Sequence, residues 1–353
     1  MEINFDLLIS GCNTRCRHCY VNGGPGRNIR TEDARLCLRR LDELGACLPE
    51  PPGLTLDNEP INHPDIAVIL RDAASLEHVA HFHHGMTTGI ALMSRPDRDT
   101  VVRAYLDHGC VEFGITLHGG TAHHDEIVRR KGAFDTAIEA ANYLKTHGAR
   151  LSVSLMFNRF FREDAGDLDR ALARLDPAFV YFAVPNYTPH ANMAGYEAYR
   201  ASYDDLEALS SRLRVWGQDV SGLLSAARES TPGAVMERLH GDLELKDLFL
   251  AEQNELYLSV HQDGSLYMGN TGAETECLGD LRVLDAGRTA ERIRQAAGNR
   301  DYGAFYDPAV LPEQEDLLLA LDRLPRDRLY ADLPSVLYRG LEELGIPTRI
   351  LRL

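Results

Sequence analysis

The sequence predicts an α/β fold: a partial (β/α)6 TIM-like barrel over residues 1–195, followed by a smaller α+β C-terminal domain over residues 196–353. Three observations carry this. Up to about residue 190, β-rich runs alternate with helical periodicity, the pattern of parallel strands joined by crossover helices. The six units found are too few to close an eight-stranded barrel. Beyond Pro189 the alternation stops, and mostly helical, polar sequence surrounds one hairpin signal.

In chain order, Ile3, Phe5, Leu7 and Ile9 alternate with other residues and mark the first strand. Thr31 is expected to cap a helix with Glu32 and Asp33 in its first turn, Leu36, Leu38, Leu41 and Leu44 as apolar positions, and Gly45 as its end. Further strands are expected at 54–56, 79–82, 111–117, 151–157 and 179–184. Among the helices between them, 133–147 is clearest, with Phe134, Ile138, Ala141 and Leu144 on one face and Gly148 after it. Residues 200–250 read as helical, broken at Thr231-Pro232-Gly233. The runs 256–261 and 265–268 flank Asp263-Gly264, a hairpin turn signal. Leu317, Leu318 and Leu321, then Leu337, Leu341 and Leu344, mark a helical tail.

With 44% hydrophobic and 25% charged residues, the chain has ordinary globular composition, which excludes disorder, coiled coil and collagen. Its 37 Lys+Arg against 53 Asp+Glu give a net charge of −16, which argues against nucleic acid or an anionic membrane surface as a partner. Seven cysteines fit a disulfide scaffold poorly. The N-terminus lacks a signal-peptide pattern, and no apolar run approaches the ~18 residues of a membrane span. A cytoplasmic protein is expected.

Three cysteines lie in one short stretch, Cys12-Asn13-Thr14-Arg15-Cys16-Arg17-His18-Cys19, just after the first strand. Three thiolates on one loop can reach one soft metal centre. A structural zinc needs a fourth ligand, yet His18 is poorly placed beside Cys19 and no second C-x2-C pair exists. An iron–sulfur cluster normally takes four cysteines, so three leave one iron open to another ligand.

This spacing, followed by the aromatic Tyr20, resembles the radical S-adenosylmethionine (radical SAM) superfamily. Further stretches resemble it in the same order. They are Asp57-Asn58-Glu59-Pro60 after the second strand, Thr87-Thr88-Gly89 after the third, Gly114-Ile115-Thr116-Leu117-His118-Gly119 in the fourth, and 152–159 in the fifth. The resemblance spans roughly residues 5–195. It implies that Cys12, Cys16 and Cys19 ligate one [4Fe–4S] cluster whose fourth iron takes the amino and carboxylate groups of S-adenosylmethionine (AdoMet). It also implies that Glu59 contacts the methionine amino group and that Tyr20 lies near the adenine. Thr116, Ser154 and Asn158 would make polar contacts to the methionine carboxylate or the ribose, and Arg129 or Arg130 would pair with the carboxylate. Asp57-Asn58 departs from the glycines usual before that glutamate and alters the floor of the site, so Asn58 joins the cofactor-binding candidates. Reduction of AdoMet then yields a 5′-deoxyadenosyl radical that abstracts hydrogen from substrate, with an electron donor such as flavodoxin or ferredoxin.

His81 and His83 share a face at the end of the third strand, and His83 and His118 are candidates for substrate contact. Gly23-Gly24-Pro25-Gly26 lacks the Lys-Ser/Thr of a phosphate loop. The region 256–281 resembles the SPASM or twitch extension of the superfamily, but Gly269 stands where a cysteine is common and Cys277 is its sole cysteine. The fold of that extension is therefore expected without an auxiliary cluster. Cys277 reads either as a packing residue or as a hydrogen-atom donor; Cys37, Cys47 and Cys110 read as core or surface thiols.

No leader-binding domain precedes Cys12 in this sequence, which tilts the expected substrate towards a small polar molecule of specialised metabolism, or a short peptide. Without an auxiliary cluster, redox-neutral or reductive outcomes such as epimerisation, rearrangement or elimination are expected. The alternatives are a precursor-peptide maturase and, remotely, a non-enzymatic zinc-binding protein.

Overall fold

The computed structural model describes residues 2–19, 23–80, 84–189, 195–241, 245, 255–299 and 311–351. Strands β1 (Glu2–Leu7) and β2 (Gly53–Leu56) pair in parallel, with Phe5 opposite Leu54. Strands β3 (His84–Met86), β4 (Glu112–Leu117), β5 (Arg150–Met156) and β6 (Phe179–Ala183) form a second parallel set in chain order. A parallel bridge between Gly53 and Ala80 links the two sets beside β2. Six parallel strands in sequential order, with helices at each crossover, make the expected partial barrel.

The crossover helices are α1 (Thr31–Gly45), α2 (Ile66–Ala73), α3 (Ile90–Ser94), α4 (Arg98–Asp107), α5 (Thr121–Val128), α6 (Ala133–Thr146) and α7 (Phe161–Leu175). Thr31 is the first residue of α1 instead of its cap, and its hydroxyl donates to Asp65 Oδ2 at 2.6 Å. The helix start is served by its acidic first turn, where Asp33 also receives the Arg30 guanidinium at 2.7 and 3.0 Å. Asp125, at the end of α5, accepts from the Gly132 and Phe134 amides and so starts α6.

After the barrel come the short helices α8 (Tyr203–Ala208), α9 (Ser210–Val215), α10 (Val220–Glu229) and α11 (Pro232–Leu239). Ser202 caps α8 in a capping box with Asp205, and Asp219 and Thr231 cap α10 and α11. The buried Arg200 ties this passage together. It pairs with Glu197, donates to the carbonyls of Pro185 and Asn186 at 2.7 and 3.0 Å, and lies 4.4 Å over the Tyr330 ring.

Strands β7 (Glu255–Val260) and β8 (Ser265–Met268) form the expected hairpin, with Gly264 at φ +85° in the turn. Strand β9 (Glu276–Asp280) follows. The hairpin is not a separate sheet. β7 pairs in parallel along all of β1, giving the order β2-β1-β7-β8-β9, so sheet pairing runs across the expected boundary at 195. Gly269 has φ +117°, and a Cβ there would lie 2.7 Å from the Ala273 carbonyl oxygen, so this turn leaves no room for a cysteine. Helices α12 (Ala286–Asn299), α13 (Gln314–Leu321) and α14 (Leu333–Glu343) complete the chain; α12, which packs beside α1, has no counterpart in the sequence reading.

Strand alternation sorts the side chains. Phe5, Leu7, Leu54, Leu56, Leu258 and Val260 turn outward into one core with Leu38 and Leu41 of α1 and Ile69 of α2. Ile115, Leu117, Val153 and Leu155 do the same against α6 and α7. The opposite face carries Asp6, Thr55, Thr116, Ser154, Ser259 and Tyr267. Because Leu258 and Leu41 share a core, Leu258→Ala and Leu41→Ala should each cost about 2–5 kcal/mol. Both should shift the same transition in denaturant melts; separate transitions would show the extension folding on its own.

Candidate active site

The cysteine loop leaves the C-terminal end of β1 and folds back on itself, with the Cys12 amide donating to Gly24 O at 2.8 Å and the Cys19 amide to Cys16 O at 3.2 Å. The Thr14 hydroxyl lies 3.1 Å from Cys12 Sγ and 3.4 Å from Cys16 Sγ, while the Gly23 amide donates to Cys19 Sγ at 3.0 Å. All three cysteines line one cavity of about 320 Å³ at the barrel mouth. Burial pushes the Cys16 thiol up to about 12, and burial with the nearby Glu59 raises Cys12. A bound cation would reverse that tendency by stabilising the thiolates.

Glu59 follows β2 and is 1% exposed. Its Oε1 accepts from the Thr87 hydroxyl at 2.7 Å, and its Oε2 accepts from the Thr88 amide and hydroxyl at 2.8 and 2.7 Å. Burial nevertheless holds its carboxyl above the ordinary range. Asn58 adopts φ +64°, a left-handed conformation that asparagine tolerates, where the superfamily pattern has glycine. A Cβ on Gly23 would lie 3.1 Å from Asn58 Oδ1 and 3.2 Å from Cys19 Sγ, so the glycine keeps this wall of the cavity open.

Three histidines gather opposite. The His18 and His118 ring centroids are 4.2 Å apart, those of His118 and His124 5.4 Å, and the His118 amide donates to His124 Nδ1 at 3.3 Å. Burial depresses all three, His18 and His124 to about 4 and His118 well below its usual value, so they are neutral at physiological pH. The Nδ1 atoms of His18 and His118 are buried without a hydrogen-bond partner. Ile90, Val128 and Ala133 pack with Cys16 as the apolar side.

Residues 7–172 match the radical SAM superfamily model. The chain carries a radical SAM domain. Among solved structures it is similar to anSMEcpe with bound AdoMet and Cp18Cys peptide, at 13% identity and TM-score 0.57 over 98% of this chain and 97% of that one. It is also similar to Streptococcus suis SuiB bound to precursor peptide SuiA, at 12% identity and TM-score 0.55 over 95% and 76%. SuiB bound to S-adenosylmethionine gives 12% and 0.53 over 95% and 77%. At these identities the likeness is one of fold. No curated protein matches the sequence.

Radical SAM enzymes use a [4Fe–4S] cluster and AdoMet, and these are the cofactors of this enzyme. The cavity fits them. Among the described residues no three His, Cys, Asp or Glu converge closely enough for a single metal ion. The three thiols instead border a space, as a multi-iron cluster needs and a tetrahedral zinc does not. His118, whose Nδ1 is buried without a hydrogen-bond partner, lines the same space.

Of the residues expected in this radical SAM site, Cys12, Cys16, Cys19, Asn58, Glu59, Thr116 and His118 line the cavity. Ser154 pairs with Thr116 across β4 and β5, one strand further along the inner face, and does not line it. Asn158 is fully buried as a loop clamp, both of its Nδ2 hydrogens being spent on His118 O at 2.7 Å and Met156 O at 3.2 Å. Arg130 stands outside the cavity, bracing the cysteine loop through Asn13 O at 3.1 Å, with Arg129 beside it in a separate surface hollow. Tyr20 and His83, with His81, lie outside the described residues.

Cys277 is exposed on β9. Register places it at the end of a row running Thr55, Asp6, Ser259, Tyr267, Cys277. Four strand spacings of ~4.8 Å separate it from Thr55 by roughly 19 Å, too far for direct hydrogen transfer at the cluster side of the cavity.

Sequence reasoning missed Asp6, His124 and Glu274. Asp6 is 4% exposed and is pushed up to about 8 by burial, then by Asp57 and Glu274. Its place opposite Phe5 and Leu7 in the β1 alternation was the available signal. A carboxyl raised in the folded state costs stability as pH climbs from its unfolded value towards the folded one. The protein should therefore lose stability as pH rises from 3.8 towards about 8, and Asp6→Asn should flatten that slope. Denaturant midpoints of both proteins across this window check it; parallel slopes would refute the assignment.

Proposed function

We propose that this radical SAM enzyme abstracts hydrogen from a small polar substrate seated beside the cysteine-lined cavity. The reading rests on one observation: the three cysteines, the buried Glu59 and the unpartnered His118 Nδ1 share a single cavity, bordered by the polar inner face of the sheet. Cys12, Cys16 and Cys19 hold the cluster, and when bound the cluster and AdoMet supply one-electron cleavage of a carbon–sulfur bond and the resulting carbon radical.

The remaining tasks fall to the chain. Glu59 offers a desolvated negative charge to the AdoMet ammonium, which offsets the burial that raises its carboxyl. Thr87 and Thr88 fix both of its oxygens, so the carboxylate is oriented before the ligand arrives. Thr116 and His118 offer polar atoms at the end of β4. Ile90, Val128 and Ala133 exclude water from one side.

Cys277 is the sole cysteine after residue 110 of this sequence, which supports a redox-neutral or reductive outcome over one that passes electrons to a second cluster. A second reading, modification of a peptide, is favoured by the peptide-bound anSMEcpe and SuiB structures, whose folds match along most of this chain.

Anaerobic reconstitution with iron, sulfide and dithionite should give about four irons per chain and 5′-deoxyadenosine from AdoMet. Cys16→Ala should lose both; a zinc protein would give neither in any form. Thr87→Val should weaken AdoMet binding about tenfold, the value of one hydrogen bond to a charged group, measured by equilibrium titration. Turnover of a polar small molecule against turnover of a precursor peptide separates the two substrate readings.

A further inference from the structure

The cysteine loop also borders the outer surface. Asn13, Thr14, Arg15, Pro25, Arg129 and Arg130 line a surface hollow of about 320 Å³ there. Thr14 lines both this hollow and the cavity of the cysteines, and its hydroxyl lies 3.1 Å from Cys12 Sγ and 3.4 Å from Cys16 Sγ. The hollow is thus one residue away from two of the three thiols. Backbone and side-chain bonds tie the loop to the turn between α5 and α6: the Arg17 amide donates to Ile127 O at 2.9 Å, and Arg130 Nη1 to Asn13 O at 3.1 Å.

The charge here runs against that of the whole chain. Between Leu7 and Thr31 the sequence holds Arg15, Arg17, Arg27 and Arg30 and no Asp or Glu, in a protein of net charge −16. Arg129-Arg130-Lys131 supplies a second basic run. Elsewhere on the surface guanidinium groups are matched to carboxylates; Arg95 lies 2.7 Å from Asp97 and Arg292 2.7 Å from Glu276. Arg15, Arg129 and Arg130 are exposed and have no carboxylate partner among the described residues. The acids beside them in sequence are engaged otherwise: Asp125 accepts from the Gly132 and Phe134 amides, and Glu126 from the Tyr199 hydroxyl at 2.6 Å. Where acids are in excess, three unmatched arginines around one hollow form a local field that attracts an anionic partner.

We propose that this hollow and its rim dock an acidic electron-carrier protein, the donor that reduces the cluster. Its position is what selects this partner from other anions, because Thr14 alone stands between the arginines and the thiols of Cys12 and Cys16. The donor's reduced one-electron centre loses one electron and the cluster gains it; no atom is transferred. Redox encounters of this kind are small, below about 1,200 Å² of buried surface, and short-lived. Charge complementarity then sets the encounter rate and orientation. Docking here rests on the radical SAM reading for the cluster and is independent of the substrate.

Binding of an acidic flavodoxin to the reconstituted holoenzyme, measured by calorimetry, tests this. Affinity should fall ~10-fold or more between about 50 and about 500 mM NaCl. Arg15→Glu combined with Arg129→Glu should weaken binding by a further ~10-fold or more at the lower salt. Arg288→Glu combined with Arg323→Glu makes the same change in net charge at two exposed arginines outside the hollow, and should cost less than about threefold. Arg15→Lys with Arg129→Lys keeps the charge and should bind as the unmodified protein does. The hollow Glu pair should also raise the flavodoxin concentration needed for half-maximal 5′-deoxyadenosine formation, while the dithionite-driven rate stays unchanged. If that pair does not fold, Arg15→Gln with Arg129→Gln replaces it, with loss in the same direction expected. Affinity indifferent to salt, equal losses in the two Glu pairs, undiminished affinity in the hollow pair, no binding of flavodoxin, or tighter binding of a single-stranded oligonucleotide would each overturn the assignment. Failure of dithionite to yield 5′-deoxyadenosine overturns the radical SAM chemistry itself, whereas an intact dithionite rate with charge-independent docking overturns this surface alone.

Discussion

Everything in this molecule hangs on the parallel pairing of β1 along both of its edges, with β2 on one side and β7 on the other. A strand paired on both sides leaves no free backbone edge, and its side chains are forced to alternate between two environments. Phe5 and Leu7 face the helical layer, while Asp6 faces inward. The cysteine loop launches from the end of this strand, Glu59 follows the neighbour on one side, and the C-terminal hairpin attaches on the other. The placement of the cysteine loop, the Glu59 carboxylate and the inner face of the sheet is therefore a single register problem.

The chemistry of the cavity is one of deliberate imbalance. The Cys12 and Cys16 thiols, Glu59, Asp6 and Asp57 are all held towards their neutral forms by burial, yet no described cation stands by to relieve them. The histidines are neutral for the same reason, so they add hydrogen-bonding atoms without adding charge. Burial is thus uncompensated at several of these groups. Thr87 and Thr88 show how it is endured meanwhile, through three hydrogen bonds on one carboxylate.

The barrel was legible in the sequence because its signals are local. Period-2 runs and the 133–147 helix face correspond to β1, β4, β5, β6 and α6 within a few residues. The cysteine spacing and Glu59 were legible because the loop and strand ends occur in a fixed order. The long-range partnership of β1 with β7, some 250 residues apart, was not, since nothing in either strand's composition names its neighbour. For the same reason Glu274 and Asp6 could not be brought together from sequence. Asn158, Ser154 and Arg130 do not line the cavity, a position that sequence does not reveal, since polar residues near strand ends also clamp loops, as Asn158 does.

Gly269 has a consequence beyond its own turn. The genetic code permits glycine to become cysteine by a single base change, so an auxiliary-cluster ligand at this position is close in mutational terms. The backbone makes it remote. At φ +117°, with Ala273 and Glu274 packed against it, a side chain there would first require the turn carrying Thr271 and Glu274 to be rebuilt. A cysteine ligand at Gly269 and the turn that carries Thr271 and Glu274 are thus alternative states of one piece of chain, and a descendant could gain the first only by giving up the second.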